Sequence, residues 1–392
     1  LTPWVFLTHL SILMCSAQQY VVESLGIDLP APLSRVIFES WNNEKGLLLL
    51  FEDSLDEQIA FLSFENYETH FLASGCNDRI YDLTLFHGIP YAVGSFSECD
   101  GISVLGIAQF NGVAWLPLFD WGLEMGEARC LVSFNDTSLY AGGSFHYVGG
   151  DALQYLARYD GVLWSAVDDM YDFQGNVLDF EQTRHDSLSN KDTLFVVHMW
   201  FGDAYISLFE DGKLIETFVI AENIESVSST YSSFESKFFC AVNKYDPMGE
   251  SELSSTLISV SFEVDETHID TVISLLGAMN EIHSHGQDIL VGCSVRENPY
   301  DTLQFFARYN MSTDSFVFIQ IFDGPIYDFE SCGDSIYVAG AFSEKLALLF
   351  EENESIVSSI EDVHTDALFS GNISENSETS NAIQRKRRHD FF

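Results

Sequence analysis

Short apolar runs separated by polar, turn-forming residues are the dominant pattern along this 392-residue chain. The runs are rich in β-branched and aromatic side chains, and Gly, Asn, Asp and Ser stand between them. No stretch keeps the 3.6-residue spacing of an amphipathic helix. The pattern therefore predicts an all-β chain built from short strands.

Two neighbouring segments repeat one strand pattern without a gap. YAVGSF starts at Tyr91 and YAGGSF at Tyr140, and the runs IAQFNG and LARYDG follow at the same distance. A strand that contains a tryptophan then closes each unit, as GVAWLPL and GVLWSAV. Self-similarity at a fixed period indicates a repeat architecture.

Less regular copies extend the array to seven units. Their corresponding strands start 43 to 54 residues apart, at Leu48, Tyr91, Tyr140, Leu194, Phe239, Leu290 and Tyr337. A further strand precedes three of these starts, as VIFES, RIYDL and PIYDF. Four strands per unit at this period predict a seven-bladed β-propeller over residues 35–364, with six or eight blades as alternatives.

The repeat also suggests structural roles for many conspicuous residues. We expect the aromatics of the outer runs to fill the gaps between blades: Phe110, Trp115, Tyr159 and Trp164. Small residues in the glycine-containing runs should let strands crowd near the axis. Arginines recur along the repeat and are expected to bond loop carbonyls between blades: Arg79, Arg129, Arg158, Arg296 and Arg308.

Gly142-Gly143 followed by Tyr159 and Trp164 resembles the repeat of the kelch and galactose-oxidase-like propellers, in which a double glycine precedes a spaced aromatic pair. The five-residue separation of Tyr159 and Trp164 departs from the usual kelch spacing. The form YAGGSF…LARYDG..W is closer to large secreted propeller proteins and to the ectodomain of the fungal cortical marker of cell polarity. That resemblance covers roughly 36–362 and implies a glycosylated protein anchored at growth or division sites.

The two ends of the chain differ from the array. Residues 1–17 resemble the apolar region and cleavage site of a secretory signal, with a first core strand as the alternative. Residues 18–34 form a lead-in that either adds a strand to the last blade or packs beneath it. Residues 365–392 are polar and predict a disordered tail, which contains the basic run Arg385, Lys386, Arg387 and Arg388. That run is a candidate protease-processing site, with a juxtamembrane stop signal as the alternative.

Charge and cysteine content narrow the class of protein. The net charge of −43 excludes nucleic acid as a partner, because proteins bind its phosphates through clustered Lys and Arg. Removal of the signal would leave six cysteines, an even number that suits an oxidising compartment, although free core cysteines are an alternative. Four N-x-[ST] sequons also favour secretion, at Asn135, Asn310, Asn353 and Asn372.

No motif of a propeller enzyme stands out from the repeat. The turn motif of sialidases is absent. His283 and His285 are the closest histidine pair and weak metal candidates, since alternation along a strand would point both to one side; exposed loop histidines are the expected alternative. Asp82 and Asp328, in the IYD runs of two predicted strands, could bind Ca²⁺, although their equivalence in two units favours an architectural role.

We therefore expect a secreted or cell-surface propeller that acts as a binding, adhesion or polarity-marker scaffold and presents rim loops to a protein or glycan. A membrane anchor could lie outside this chain, and no cofactor is assigned. The alternative is a secreted enzyme, an oxidase or glycan hydrolase, with its active site at the mouth of the central channel.

Overall fold

The computed structural model describes residues 19–352 except 26, 43, 53–57, 73–74, 119–122, 168–174, 184–191, 246–252, 263–266, 299–300 and 334. Within these ranges the chain forms seven four-stranded antiparallel sheets. The sheets follow one another along the chain as blades 1 to 7 of a β-propeller, which confirms the predicted all-β, seven-bladed fold.

Each blade runs from an inner strand at the axis to an outer strand at the rim. The inner strands of blades 1 to 7 are Leu33–Trp41, Ile80–Phe86, Ala128–Phe134, Asn176–Thr183, Ser226–Ser232, Ala278–His285 and Ile326–Cys332. The second strands are Glu44–Phe51, Ile89–Gly94, Ser138–Gly143, Thr193–Trp200, Lys237–Tyr245, Asp288–Asn298 and Ser335–Gly340. The third strands are Ile59–Ser63, Ile107–Phe110, Leu156–Tyr159, Asp203–Glu210, Leu253–Phe262, Asp301–Asn310 and Leu346–Glu352. The outer strands are Thr69–Phe71, Trp115–Pro117, Trp164–Ala166, Lys213–Ala221, Thr267–Leu276 and Ser315–Phe322 for blades 1 to 6.

The outer strand of blade 7 comes from the other end of the described chain. Gln19–Ser24 pairs antiparallel with Leu346–Glu352, from Gln19 opposite Glu352 to Ser24 opposite Ala347. Of the two placements predicted for the lead-in, the structure therefore shows the one that closes the ring. The pairing satisfies the backbone groups of Leu346–Glu352 and gives blade 7 the same four strands as the other blades.

Glycines of the second strands allow neighbouring strands to approach closely. A Cβ atom on Gly142 would lie 2.4 Å from Cγ1 of Val177 in the inner strand of the next blade. A Cβ on Gly143 would lie 2.1 Å from the carbonyl oxygen of Glu127 in its own blade, and one on Gly94 would meet that of Arg79 at the same distance. The first glycine thus serves the contact between blades, and the second serves the contact between the two inner strands of one blade.

The aromatics of the outer runs lie between the blades, as predicted. Phe110, Trp115, Tyr159 and Trp164 are all less than 9% exposed. Trp115 belongs to the apolar cluster that joins blades 1 and 2, and its Nε1 donates a hydrogen bond to the carbonyl oxygen of Leu72 at 2.9 Å.

The propeller has two different faces. The hairpin face carries the turns that join inner to second strands, such as 87–88 and 135–137, and the turns that join third to outer strands, such as 111–114 and 160–163. The loop face carries the loops between second and third strands, such as 95–106, and the linkers between blades, such as 222–225.

Candidate functional site

A cavity of about 870 Å³ lies on the propeller axis. Residues of all seven inner strands line it, together with Gly88 and Asp136 of two hairpin turns. The lining therefore extends from the middle of the inner strands to the hairpin face. Among the described residues, Arg35 is the one Lys or Arg of the lining. Seven carboxylates line the cavity: Glu39, Asp136, Asp179, Glu181, Glu281, Asp328 and Glu330.

Seven residues at equivalent positions of the inner strands form a ring about the axis, and five of them line the cavity. In six of the seven blades, a β-bulge interrupts the pairing of inner and second strands just before the ring residue. A bulge inserts one residue and re-aims the strand that follows, which sets the direction of these side chains. In blade order the ring consists of Arg35, Asp82, Cys130, Asp179, Ser228, Glu281 and Asp328.

The aspartates of the ring connect each blade to the next. Asp328 Oδ2 accepts a hydrogen bond from the backbone N–H of Val36 in blade 1 at 2.7 Å. Asp82 Oδ2 accepts from the backbone N–H of Leu131 in blade 3 at the same distance. Each aspartate uses Oδ1 for the backbone N–H that follows it, at 2.9 and 2.7 Å. We call this contact between neighbouring blades a latch.

Other ring residues also connect neighbouring blades, but through different donors and acceptors. Asp179 Oδ2 accepts from the hydroxyl of Ser229 in blade 5 at 2.7 Å. Ser228 Oγ accepts from the backbone N–H of Ile282 in blade 6 at 3.2 Å and donates to Glu281 Oε1 at 3.0 Å. Arg35 Nε forms an ion pair with Asp82 Oδ1 at 2.8 Å, which joins blades 1 and 2.

A second level of latches lies two residues further along the inner strands. Glu330 accepts a backbone hydrogen bond from Phe38, and Glu181 accepts one from Tyr231. In blade 6 this level is occupied by His283, whose Nε2 lies 2.7 Å from Ser331 Oγ. His285 Nδ1 lies 3.0 Å from the same hydroxyl, so both histidines do face one side, as predicted.

Crowding of acids in a confined space perturbs their ionisation. Burial raises the pKa of Asp82 to about 6 against the opposing effect of Arg35, and it raises that of Asp328 to about 6. Burial, followed by the charge of Asp328, raises the pKa of Glu330 to about 8. Burial and then His285 lower the pKa of His283 to about 4, so His283 is neutral at pH 7. Arg35 is thus the permanent cation of a cavity wall that is otherwise acidic.

These positions correct one expectation. His283 and His285 lie on an inner strand, not in an exposed loop, because their strand follows the axis. Asp82 and Asp328 lie on the inner strands that contain the IYD runs, where they serve as latches. Across the described ranges, no three His, Cys, Asp or Glu side chains are arranged to hold a metal ion.

The arginines are not all equivalent. Arg158 and Arg308 do occupy matching third strands, where Arg158 Nε donates to Ser138 Oγ at 2.8 Å and Arg308 Nη1 lies 3.3 Å from Asp288 Oδ2. Each contact stays inside one blade, because Ser138 and Asp288 start the second strands next to these third strands. The prediction that these arginines bond loop carbonyls between blades is therefore wrong for Arg158 and Arg308. Arg79 forms an ion pair with Glu52 at 3.1 Å, and Arg129 lies over the ring of Tyr81.

A second surface feature distinguishes the loop face of blades 2 and 3. The loop 95–106 is fastened to the linker before blade 2 by the Cys76–Cys99 disulfide and by hydrogen bonds from Asn77. In blade 3, Tyr147–Val148 pairs with Leu123–Glu124 of the preceding linker. Loop and linker thus form one ordered surface across both blades.

Large apolar side chains project from this surface. Leu105, Met125 and Tyr147 are 38%, 70% and 36% exposed. Leu105 and Met125 also have φ values of 48° and 55°, a left-handed conformation that is unfavourable for bulky side chains. His146 Nδ1 lies 2.8 Å from the carbonyl oxygen of Met125 and holds this turn.

The sequons and the remaining cysteines occupy diverse positions. Asn135 is half-buried and donates to Asp192 at 2.7 Å. Asn310 is buried, with its amide donating to Asp288 at 2.6 Å, a placement that does not favour a glycan on the folded protein. Cys130, Cys240, Cys293 and Cys332 are free thiols. The predicted signal, Asn353, Asn372, the tail and Arg385–Arg388 lie outside the described residues.

Comparison with known proteins supports the fold and no more. No protein-family model matches the chain, and no curated protein matches it. The extracellular domain of a B. thetaiotaomicron protein assigned to a hybrid two-component system aligns with a TM-score of 0.54 and 14% identity, over 86% of this chain and 40% of the bacterial one. Sqt1 of Saccharomyces cerevisiae aligns with a TM-score of 0.46 and 10% identity, over 86% of this chain and 98% of Sqt1.

The chain is therefore a seven-bladed β-propeller with distant propeller neighbours. The resemblance to kelch repeats stays a prediction. No helix in the described part of the chain is long and apolar enough to cross a membrane.

Proposed function

We propose that this propeller is a protein-binding scaffold whose partner docks on the loop face of blades 2 and 3. The observation that carries the proposal is the exposure of Leu105, Met125 and Tyr147 on loops fastened by a disulfide and by added strand pairs. Exposed apolar clusters on a soluble surface favour association, and aromatic and Met side chains are enriched in interfaces. The left-handed backbone at Leu105 and Met125 adds a strain of the kind that concentrates at functional sites.

The same loops are the longest connections between second and third strands. Blade 4 joins its second and third strands by a two-residue turn, 201–202, whereas blades 2 and 3 use 12 residues each, 95–106 and 144–155. Loops positioned by a rigid scaffold are a frequent place for binding residues. This supports a partner that contacts blades 2 and 3 together.

The test compares two double variants that remove exposed apolar groups from opposite faces. Leu105→Ser/Met125→Ser changes the loop face, and Val113→Ser/Val162→Ser changes hairpin-face turns whose side chains are 80% and 74% exposed. The immobilised wild-type protein should select a partner from cell-surface extracts. The purified partner should then bind the loop-face variant about tenfold more weakly and the hairpin-face variant unchanged. Equal binding by both variants would refute the docking surface.

We further propose an extracellular location, with residues 1–17 removed on secretion and Arg385–Arg388 processed in the tail. The Cys76–Cys99 disulfide supports it, because structural disulfides persist in oxidising compartments. Mass spectrometry of the native protein should find this pair oxidised, Asn135, Asn353 or Asn372 glycosylated, and Asn310 unmodified. Recovery of the protein from the cytosol with both thiols reduced would contradict the location. A glycan ligand and a role as a polarity marker remain predictions from the sequence.

A further inference from the structure

The outer strands form the open edges of the seven sheets. Each lies at the end of its sheet, and no other strand in the described part of the chain pairs with its outward side. In an antiparallel ladder, every second residue of an edge strand directs both its N–H and its C=O away from the sheet. Native proteins limit unwanted pairing at such edges by short strands, charged residues and proline.

Six of the seven outer strands have this kind of protection. Those of blades 1 to 3 are three residues long, and that of blade 2 ends at Pro117. The longer outer strands of blades 4, 5 and 7 contain charged residues: Lys213 and Glu216 in blade 4, Asp270 in blade 5 and Glu23 in blade 7. A second strand could pair with these edges only by burying or crowding those charges.

The outer strand of blade 6 lacks all three features. Ser315–Phe322 is eight residues long, and its sequence SFVFIQIF contains neither a charged residue nor proline. Gln320 and Ile321 are exposed, Ile321 by 42%. The β-bulge in its pairing with the third strand does not distinguish it, because the outer strands of blades 4 and 5 are bulged as well. Blade 6 therefore presents an open and uncharged pairing edge.

The outward backbone groups of this edge require another β-strand, which alone offers N–H and C=O partners at the same spacing. A second copy of the chain supplies one, because identical strands related by a two-fold axis pair antiparallel. The net charge of −43 makes two copies repel each other, so a contact between them is favoured where the joined strands carry no charge. Such pairing uses both edges, and association therefore stops at two copies.

We propose that two copies of the chain pair antiparallel through Ser315–Phe322, so that their two blade 6 sheets become one continuous sheet. Blade 6 lies across the ring from blades 2 and 3, so the dimer leaves the loop-face surface uncovered and does not depend on its partner. One strand pair is smaller than a standard interface of about 800 Å² per partner, and we expect a Kd on the order of 10 μM.

The acids that flank the strand give the dimer a characteristic salt dependence. Asp314 precedes the strand, Asp323 follows it, and both are exposed. Antiparallel pairing brings the Asp314 end of one copy toward the Asp323 end of the other. Because salt screens this repulsion and that of the net charge, the Kd should fall about tenfold between about 0.05 and 0.5 M NaCl. A contact between opposite charges would weaken instead.

The experiment is sedimentation equilibrium of the full chain with the Cys76–Cys99 disulfide intact. Between about 1 and 200 μM, the wild-type protein should pass from monomer to dimer without larger species. Ile321→Lys places a charge on the edge and should weaken the dimer about tenfold or more, although it lowers the net negative charge. The matched control Ile215→Lys makes the same change on the outer strand of blade 4, at a side chain that is 56% exposed. It should alter the Kd less than about twofold.

Hydrogen exchange locates the contact in the wild-type protein. Amides of 315–322 should exchange more slowly at about 100 μM than at about 1 μM, whereas those of 213–221 should not change. Circular dichroism checks that both variants are folded. Equal weakening by the two Ile→Lys variants, or protection confined to another segment, would overturn the proposal. A wild-type chain that stays monomeric at every concentration would also overturn it and assign the edge to a strand of a different protein.

Discussion

The interface between blades 1 and 2 is held in two different ways at its two ends. At the rim, Trp115 is fully buried in an apolar cluster and donates one hydrogen bond to Leu72. At the axis, Arg35 and Asp82 form an ion pair, and Asp82 continues the connection to the backbone of Leu131. The same pair of blades therefore joins through packing outside and through directed polar contacts inside.

The difference follows from the geometry of a radial fold. Blades diverge toward the rim, so large aromatics are needed there to fill the gaps between them. Burial of their apolar surface stabilises the interface, and this effect does not depend on a precise orientation of the side chains. Near the axis the backbones are too close for large side chains, and short carboxylates reach the next backbone N–H instead. These contacts depend on the bulge before Asp82, which fixes where the carboxylate points.

The largest expected effect comes from removing the rim contact. Trp115→Ala should destabilise the protein by about 3–5 kcal/mol, because it opens a cavity between blades and leaves the Leu72 carbonyl without its donor. Thermal unfolding followed by circular dichroism measures this. Trp115→Phe keeps most of the packing and should lose about 1–2 kcal/mol. Similar losses for both variants would show that the hydrogen bond, and not the packing, dominates at the rim.

The axial contact should have a somewhat smaller but still large effect. Asp82→Asn keeps the shape of the side chain, yet turns an amide donor toward the Leu131 N–H or the Arg35 guanidinium. We expect a loss of about 2–4 kcal/mol, measured by urea unfolding, since a buried ion pair loses one partner. Thr84→Val, on the same face of the same strand, should change stability by about 0.5 kcal/mol or less, because it keeps the shape of the side chain and leaves the latch intact. If Thr84→Val lowered the free energy of unfolding as much as Asp82→Asn does, the latch would not explain the effect of Asp82→Asn.

The smallest expected effect is a pH dependence that only the axial contacts should show. The pKa values of Asp82 and Asp328 are about 6 and that of Glu330 is about 8 in the folded protein, all above their ordinary range. The folded state therefore binds more protons than the unfolded state between about pH 4 and pH 8, and stability should fall as pH rises through this window. The melting temperature should be a few degrees higher at pH 5.5 than at pH 8.

Salt and one substitution isolate the axial contribution to that dependence. About 0.5 M NaCl screens repulsion among surface carboxylates but acts weakly on buried ones. Glu330→Gln should flatten the dependence under these conditions, and a melting temperature that rises with pH would contradict the raised pKa values.

Sequence patterns predicted the rim better than the axis. Trp115 and Trp164 stand at matching positions of two neighbouring units, and their role in packing between blades was predicted from that recurrence. The ring residues do not recur by type: Cys130 and Ser228 stand where Asp82 and Asp328 stand in other blades. A shared place in the ring was therefore invisible without the register of each strand.

The candidate surfaces show the same difference between features that the sequence predicted and features that it did not. His283 and His285 were correctly expected to face one side, but the sequence does not show that their strand lines the axis. Leu105 and Met125 carried no signal in the repeat, because an exposed apolar loop residue looks like any irregular position. The cavity wall drew no attention either, since Glu181, Glu281 and Glu330 are scattered over 150 residues.

By itself the sequence determined the strand content and the period of the repeat, because local alternation and turn chemistry are written into neighbouring residues. It favoured seven blades, and the structure decided between seven, six and eight. Only the tertiary structure decided that Gln19–Ser24 closes the ring and that carboxylates from four inner strands meet at one axis. Both are contacts between residues far apart in the chain. Their proximity comes from the cumulative rotation of seven blades, which no local pattern encodes.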